Sequence, residues 1–287
     1  LKPELIQLPA GLYLVATPIG NARDITLRAL DILASADVIA AEDTRTARKL
    51  LGLYGLSPAG RPLIAYHDHS GAAGREGILK LVRDGRSVAY VSEAGMPLIA
   101  DPGYALARAI TEAGHRVSVA PGASAVLTAL SLSGLPSDRF LFAGFAPSAR
   151  NARRKWLREV AETPATLVLF ESARRIKETL VDLCEIAGDK REAAICRELT
   201  KKFEEVIRAP LGELRDQVAQ RTLKGEIVLV IGRGDMAGGE IDMHEALKDA
   251  LQTMRVKDAA AHVADLCRLP RRTVYQAALE LNRKGNT

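Results

Sequence analysis

Apolar runs of four or five residues recur along the first 120 positions, each followed by a polar or small-residue loop and then a stretch with helical spacing. Leu12–Ala16, Val38–Ala41, Leu63–Tyr66, Ser87–Val91 and Val117–Ala120 read as buried strands. Between them, Leu27, Leu30 and Leu33 mark the apolar face of a helix capped by Asp24 or Thr26. Thr44 caps a second helix through Leu51, Gly74–Asp84 forms a third, and Asp101-Pro102 opens a fourth. Such strand–helix alternation argues for a parallel α/β sheet.

Five more strands follow with fewer helices between them: Phe140–Gly144, Thr166–Glu171, Ala193–Arg197, Glu204–Arg208 and Glu226–Ile231. Glu198–Phe203 is too short for a helical crossover, so Ala193–Arg208 is predicted to be an antiparallel hairpin in a mixed sheet. Gly232–Gly239 reads as a linker. The pattern is helical from Met243, with a break at Arg268-Leu269-Pro270, and Lys257–Leu281 reads as a helix–turn–helix. The expected organisation is an N-terminal α/β domain over residues 1–121, a second α/β domain over 122–234, and a linker with a helical accessory domain over 235–287.

Loops at the carboxyl ends of parallel strands converge on one crevice, where ligands bind. Here they are Thr17–Asn21, Glu42–Arg45, His67–Ser70, Ser92–Pro97 and Pro121–Ser124. Small residues in three of them let backbone groups approach a ligand closely. Glu42 and Asp43 form an acidic pair suited to general-base work or to orienting Arg45; helix capping and a local ion pair with Arg45 or Arg48 would use the same residues. His67 and His69 alternate along a strand end; a polar rim contacting substrate is favoured over a metal site, which needs a third ligand. Arg197 ends an apolar strand, where a charge usually has a partner.

Composition narrows the classes. The 287 residues are 47% hydrophobic and 26% charged, a globular balance with room for two domains. No apolar run approaches the ~18 residues that span a bilayer, so no membrane partner is expected. Aromatics are only 4%, which disfavours RNA held on aromatic stacking platforms. Net charge is +5, concentrated in Arg139–Lys177 (nine Lys/Arg against three Glu) and Arg255–Lys284 (seven against three), which fits a polyanionic partner contacted by the second half. Cys184, Cys196 and Cys267 form no CxxC, so reduced thiols and no metal are expected. No Rossmann or P-loop fingerprint is present, and the glycines of Gly71–Gly77 read as a loop and helix start. The chain begins at Leu1 without a basic-then-apolar leader, so a few residues and the initiator Met are expected to precede it, with no secretion.

Read in order, GLYLVATPIGN, DITLRAL, AEDTR, VSEAGMPLIADPG, PGASA, ALSLSGLPSDRFLFAGF, RELTKKFEE and KGEIVLV resemble the ribosomal RNA small subunit methyltransferase I family of the tetrapyrrole methylase superfamily. The resemblance runs from about Gly11 to Ile231 and more weakly across the tail. It implies a tetrapyrrole methylase-like fold with S-adenosyl-L-methionine in the cleft between two α/β domains. It also implies 2′-O-methylation of a decoding-centre cytidine in 16S rRNA or the small ribosomal subunit, a cytoplasmic homodimer, and a tail that helps hold RNA. Carried over by position, the cofactor residues would be Pro18, Gly20, Gly95, Met96, Pro97, Ile99, Ser124, Ala125, Glu171 and Leu199. Glu42 or Asp43 would act as base or base-orienter, Arg45, Arg197 and Glu198 would shape the acceptor pocket, and His67 is a secondary base. The chain departs from the family's SDAGTP, YHEHN and YESPHR at Glu93, Met96, Asp68, Ser70, Phe170, Ala173 and Arg174. Two alternatives remain open: a precorrin methyltransferase, and a regulator binding nucleic acid through its helix–turn–helix.

Overall fold

The computed structural model describes residues 3–58, 60–67, 70–100, 102–234, 243–267 and 270–284. The first sheet is wholly parallel and takes β1 (Gly11–Val15), β2 (Val38–Ala41), β3 (Leu63–Ala65), β4 (Ser87–Val91) and β5 (Val117–Ala120) in the order β3-β2-β4-β1-β5. β1, β2 and β4 are buried at every position, as short apolar runs covered on both faces must be. One face packs α1 (Leu27–Ser35) and α2 (Thr44–Leu53) through Ile32, Leu33 and Leu51. The other packs α3 (Gly71–Arg83) and α4 (Tyr104–Glu112) through Ile78, Val82, Leu106 and Ile110.

The second sheet comprises β6 (Phe140–Phe145), β7 (Thr166–Ser172), β8 (Glu192–Arg197), β9 (Glu205–Pro210) and β10 (Glu226–Ile231), in the order β6-β7-β10-β8-β9. β6 and β7 are parallel; β10 runs antiparallel to both β7 and β8, and β8 and β9 form the expected hairpin. α5 (Ala125–Ser133) covers one face, sharing a core with Ile19 and Leu199. α6 (Arg150–Ala161), α7 (Ile176–Ala187) and α8 (Leu211–Ala219) cover the other. α9 (Met243–Thr253), α10 (Val256–Cys267) and α11 (Arg271–Lys284) have a core of their own around Leu247, Val263 and Val274. The architecture is thus two α/β sheets and a helical tail.

Three helices lie between the strands of the second sheet against four in the first, as the strand-rich pattern indicated. Several local expectations change. α6 buries Arg153, an arginine where the periodicity asks for an apolar residue. Arg153 is 1% exposed and bonds Asp182 at 2.8 Å, with Glu178 at 3.2 Å. Arg150 and Arg154 also pair with Asp182, and Arg175 pairs with Glu171. Four of the nine cations in Arg139–Lys177 therefore have carboxylate partners within the chain, which weakens that segment as a polyanion footprint. Asp43, not Thr44, caps α2, because its carboxylate reaches the Arg45 amide. α3 begins at Gly71, so the glycine-spaced segment is helix throughout, and α4 starts at Tyr104 after Gly103. The Asp101 start, the Arg268-Leu269 break and most of the linker lie outside the described residues.

Candidate active site

The crevice floor is built by loops that lock onto one another. Thr17 and Gly95 exchange backbone hydrogen bonds of 2.9 and 3.0 Å, tying the loop after β1 to the loop after β4. Gly95 has φ +81°, and a Cβ there would stand 3.2 Å from Ile19 and 3.5 Å from the Ala123 carbonyl, so this approach suits glycine. Leu98 (φ 71°) and Ala100 (φ 60°) are also left-handed, a conformation costly for side-chain-bearing residues and common at ligand clamps. Ser124 caps α5 by accepting from the Leu127 amide at 3.4 Å.

Opposite these loops stand the end of β7 and the start of β10, whose antiparallel register sets Ile227 against Glu171. Together they enclose a cavity of about 420 Å³, a volume typical of small-molecule sites. Ile19, Val126, Phe145, Phe170, Ile227 and Val228 make its walls apolar; Glu93, Ser124, Ser172 and Glu226 supply polar groups.

Six of the residues proposed for the cofactor line this cavity: Gly95, Met96, Ile99, Ser124, Ala125 and Glu171. Pro18, Gly20, Pro97 and Leu199 are not among its lining. Gly20 instead lets the loop after β1 dock on the turn after β8. A Cβ at Gly20 would lie 2.5 Å from Lys201 Cγ, 2.7 Å from Thr200 Oγ1 and 3.0 Å from the Leu199 carbonyl, and the Asn21 amide donates to Thr200 Oγ1 at 3.0 Å. Leu199 is buried in the core beneath that contact. The Glu171 carboxylate is held by Thr179 at 2.6 Å, the Ser172 amide at 2.8 Å and Arg175 at 3.4 Å, so it braces the wall of the cavity.

The charged candidates lie elsewhere on the rim. Asp43 accepts from the Arg45 amide at 2.7 Å and from its guanidinium at 2.9 Å; hydrogen bonds from the Arg45 side chain, then its backbone, hold the carboxyl down at about 2. Such a group is a weak base at neutral pH. Glu42 precedes it at the end of β2, half-buried. Arg197 donates to Glu205 at 3.0 Å and to the Lys224 carbonyl at 3.1 Å, the partners its strand-end position required. Glu198 accepts from Lys201 at 2.9 Å and from the Glu226 amide at 3.0 Å, and Lys201 and that amide lower its pKa. Glu198 therefore clamps the turn that delivers Gly225–Val228 to the cavity. His67 lines a separate cavity, and His69 lies outside the described residues. Among the described residues no three His, Cys, Asp or Glu gather as a metal site.

Phe145, Ser172, Ala100 and Gly225–Val228 line the cavity without having been singled out from the sequence. The KGEIVLV block was the available signal, but only strand pairing brings its first residues against Glu171.

The family model for tetrapyrrole (corrin/porphyrin) methylases matches residues 11–215, and that for the RsmI C-terminal HTH domain matches 237–282. The chain is 45% identical over 276 residues to ribosomal RNA small subunit methyltransferase I of Mesorhizobium japonicum, covering 96% of this chain and 93% of that protein. To the protein of the same name from Escherichia coli O157:H7 it is 41% identical over 278 residues, 94% of each. The chain belongs to this family of tetrapyrrole methylases. It is accordingly an S-adenosyl-L-methionine-dependent methyltransferase. Uroporphyrin-III C-methyltransferase from Thermus thermophilus, solved in complex with S-adenosylhomocysteine, shares the fold at a TM-score of 0.54 and 19% identity, covering 79% of this chain and 99% of that one. The cavity fits the family's cofactor: a closely packed glycine floor at Gly95, apolar walls for an adenosine and a methionine chain, and few polar groups to orient them. Ile19, Gly95, Met96, Ser124, Ala125 and the start of β10 would hold it.

Proposed function

We propose that the chain methylates the 2′-hydroxyl of a cytidine ribose in the decoding centre of 16S ribosomal RNA, on the naked RNA or the small ribosomal subunit. Identity of 41–45% over nearly the whole chain, tail included, to proteins named as small-subunit ribosomal RNA methyltransferases supports the ribosomal part of the reading, and the resemblance of the sequence blocks supports the 2′-O position. When bound, the cofactor supplies a sulfonium-activated methyl group. The chain's own work is to position the reactants in near-attack geometry and to manage one proton. The interlocked loops at Thr17 and Gly95 and the Glu198 clamp fix the two walls of the cavity. A ribose hydroxyl is a poor nucleophile at neutral pH, so a base on the rim accelerates attack. Glu42 takes that role, with a carboxylate oxygen accepting the 2′-hydroxyl proton, because it stands half-buried just past the carboxyl end of β2, on the edge of the sheet where ligands bind.

Labelled S-adenosyl-L-methionine and undermethylated small subunits test this. The expected product is an alkali-resistant dinucleotide carrying label; label on a base, or none, overturns the reading. A precorrin methyltransferase would label a tetrapyrrole and leave the subunit unlabelled. The family resemblance also supports a cytoplasmic homodimer, which sedimentation equilibrium would report as twice the 30.9 kDa chain mass.

A further inference from the structure

The His67 loop belongs to a second cavity on the same rim. About 260 Å³ in volume, it lies between the amino ends of α3 and α4 and is lined by Tyr66, His67, Arg75, Pro102, Gly103 and Tyr104 among others. Its base is rigid. Tyr66 and Tyr90 are buried and meet edge-to-face at 5.8 Å, and the Tyr90 hydroxyl donates to the Pro102 carbonyl at 2.9 Å. A Cβ at Gly103 would lie 2.9 Å from the Tyr90 ring, so the backbone is seated directly on it. The mouth differs. Tyr104 leaves 68% of its surface exposed in a protein poor in aromatics, and His67 is exposed beside it. Arg75 is half-buried and has no ion pair among the described residues. Arg108, one turn beyond Tyr104, pairs with Glu112 at 2.7 Å.

We propose that this cavity is a subsite for one unpaired RNA nucleotide flanking the acceptor, its base stacked on Tyr104 and its phosphate held by Arg75. An exposed ring beside a guanidinium is the pairing that serves an unstacked base and its backbone. The volume suits a single nucleotide. Placement supports the assignment: residues 93–96, 99 and 100 of the loop after β4 line the cofactor cavity, and residues 102–105, where that connection enters α4, line this one. β2, with Glu42 at its end, runs between β3 and β4, so a strand laid along the rim passes the base candidate on the way between the two cavities. This is one stacking position, not the platform of rings that the composition disfavours. The subsite rests on the ribosomal reading above.

The test uses the full-length enzyme and undermethylated small subunits, with methyl-transfer kinetics, RNA affinity by fluorescence anisotropy and cofactor affinity by calorimetry. Tyr104→Ala is expected to raise KM for subunits and weaken RNA binding about tenfold, the scale of one lost base–aromatic stack. Tyr104→Phe should stay within about twofold of the parent, since stacking needs the ring and not the hydroxyl. Arg75→Ala should weaken RNA binding and lower the slope of log K against log salt by about one. Cofactor affinity should hold in all three, which also reports that they fold. If Tyr104→Ala and Arg75→Ala bind RNA as the parent does, the subsite is wrong even where methyl transfer proceeds. A parent that transfers no methyl to subunits overturns the ribosomal reading instead, and the binding comparison still decides the subsite.

Discussion

Gly20→Ala should loosen the contact that joins the two walls of the active site. The added methyl would stand 2.5 Å from Lys201 Cγ, about 1 Å inside an ordinary carbon–carbon contact. Lys201 is not free to swing aside, because its ammonium bridges Glu198 at 2.9 Å and Glu226 at 2.7 Å. The Leu199 carbonyl at 3.0 Å is backbone and yields even less. Overpacking of this kind costs roughly 1–3 kcal/mol. Separating Asn21 from Thr200 forfeits a hydrogen bond of about 1 kcal/mol. A total near 3 kcal/mol is expected as a lowered urea midpoint. Because the same loop carries Ile19 into the cavity wall, cofactor affinity measured by calorimetry should fall several-fold. Gly77→Ala is the control: its added methyl meets nothing within 4 Å on α3, so it should leave cofactor affinity alone and stabilise by about 0.5–1 kcal/mol. Parental stability and affinity in Gly20→Ala would refute the interlock.

Glu42→Gln should lower methyl-transfer turnover by about a hundredfold or more, the lower range for a lost general base, while cofactor affinity changes little; an equal loss of cofactor binding would reject the role. Asp43 gives a pH prediction with a definite sign. Its folded pKa of about 2 lies below the ordinary aspartate value of 3.8, so its contribution to stability is present above that value and lost as pH falls through about 2. Asp43→Asn should therefore leave the acid limb of the pH–rate profile near neutrality in place while changing acid unfolding; a shifted limb would show that Asp43 titrates in the reaction. Arg153→Ala strands the buried Asp182 with only its peripheral arginines, and urea unfolding should register about 3 kcal/mol, the low end for a broken buried pair. Arg153→Met with Asp182→Leu should recover most of it, and a double variant no better than the single one would count against the ion pair as the cause.

The residues that announced the fold were those whose role is local. Short apolar runs became β1, β2 and β4 because a strand covered on both faces needs nothing else, and Thr26 and Ser124 became caps because a hydroxyl reaches an amide three residues on. Loops at the ends of parallel strands pointed to the crevice for the same reason: chain direction alone places them on one edge. Interactions between distant positions needed the tertiary structure. Arg153 finds its partner Asp182 on the next helix, and no periodicity anticipates a buried ion pair. Gly20 and Leu199 matched the family's cofactor residues by position, yet they meet each other across 179 residues of sequence and bind the two loops together. Asp43 and Glu42 were interchangeable on paper until the fold bent Arg45 back onto one of them. The start of β10 became a cavity wall only through its register with β7. Periodicity and capping are written in neighbouring residues; which side chain faces a ligand, a partner charge or another loop depends on contacts between residues that only folding brings together.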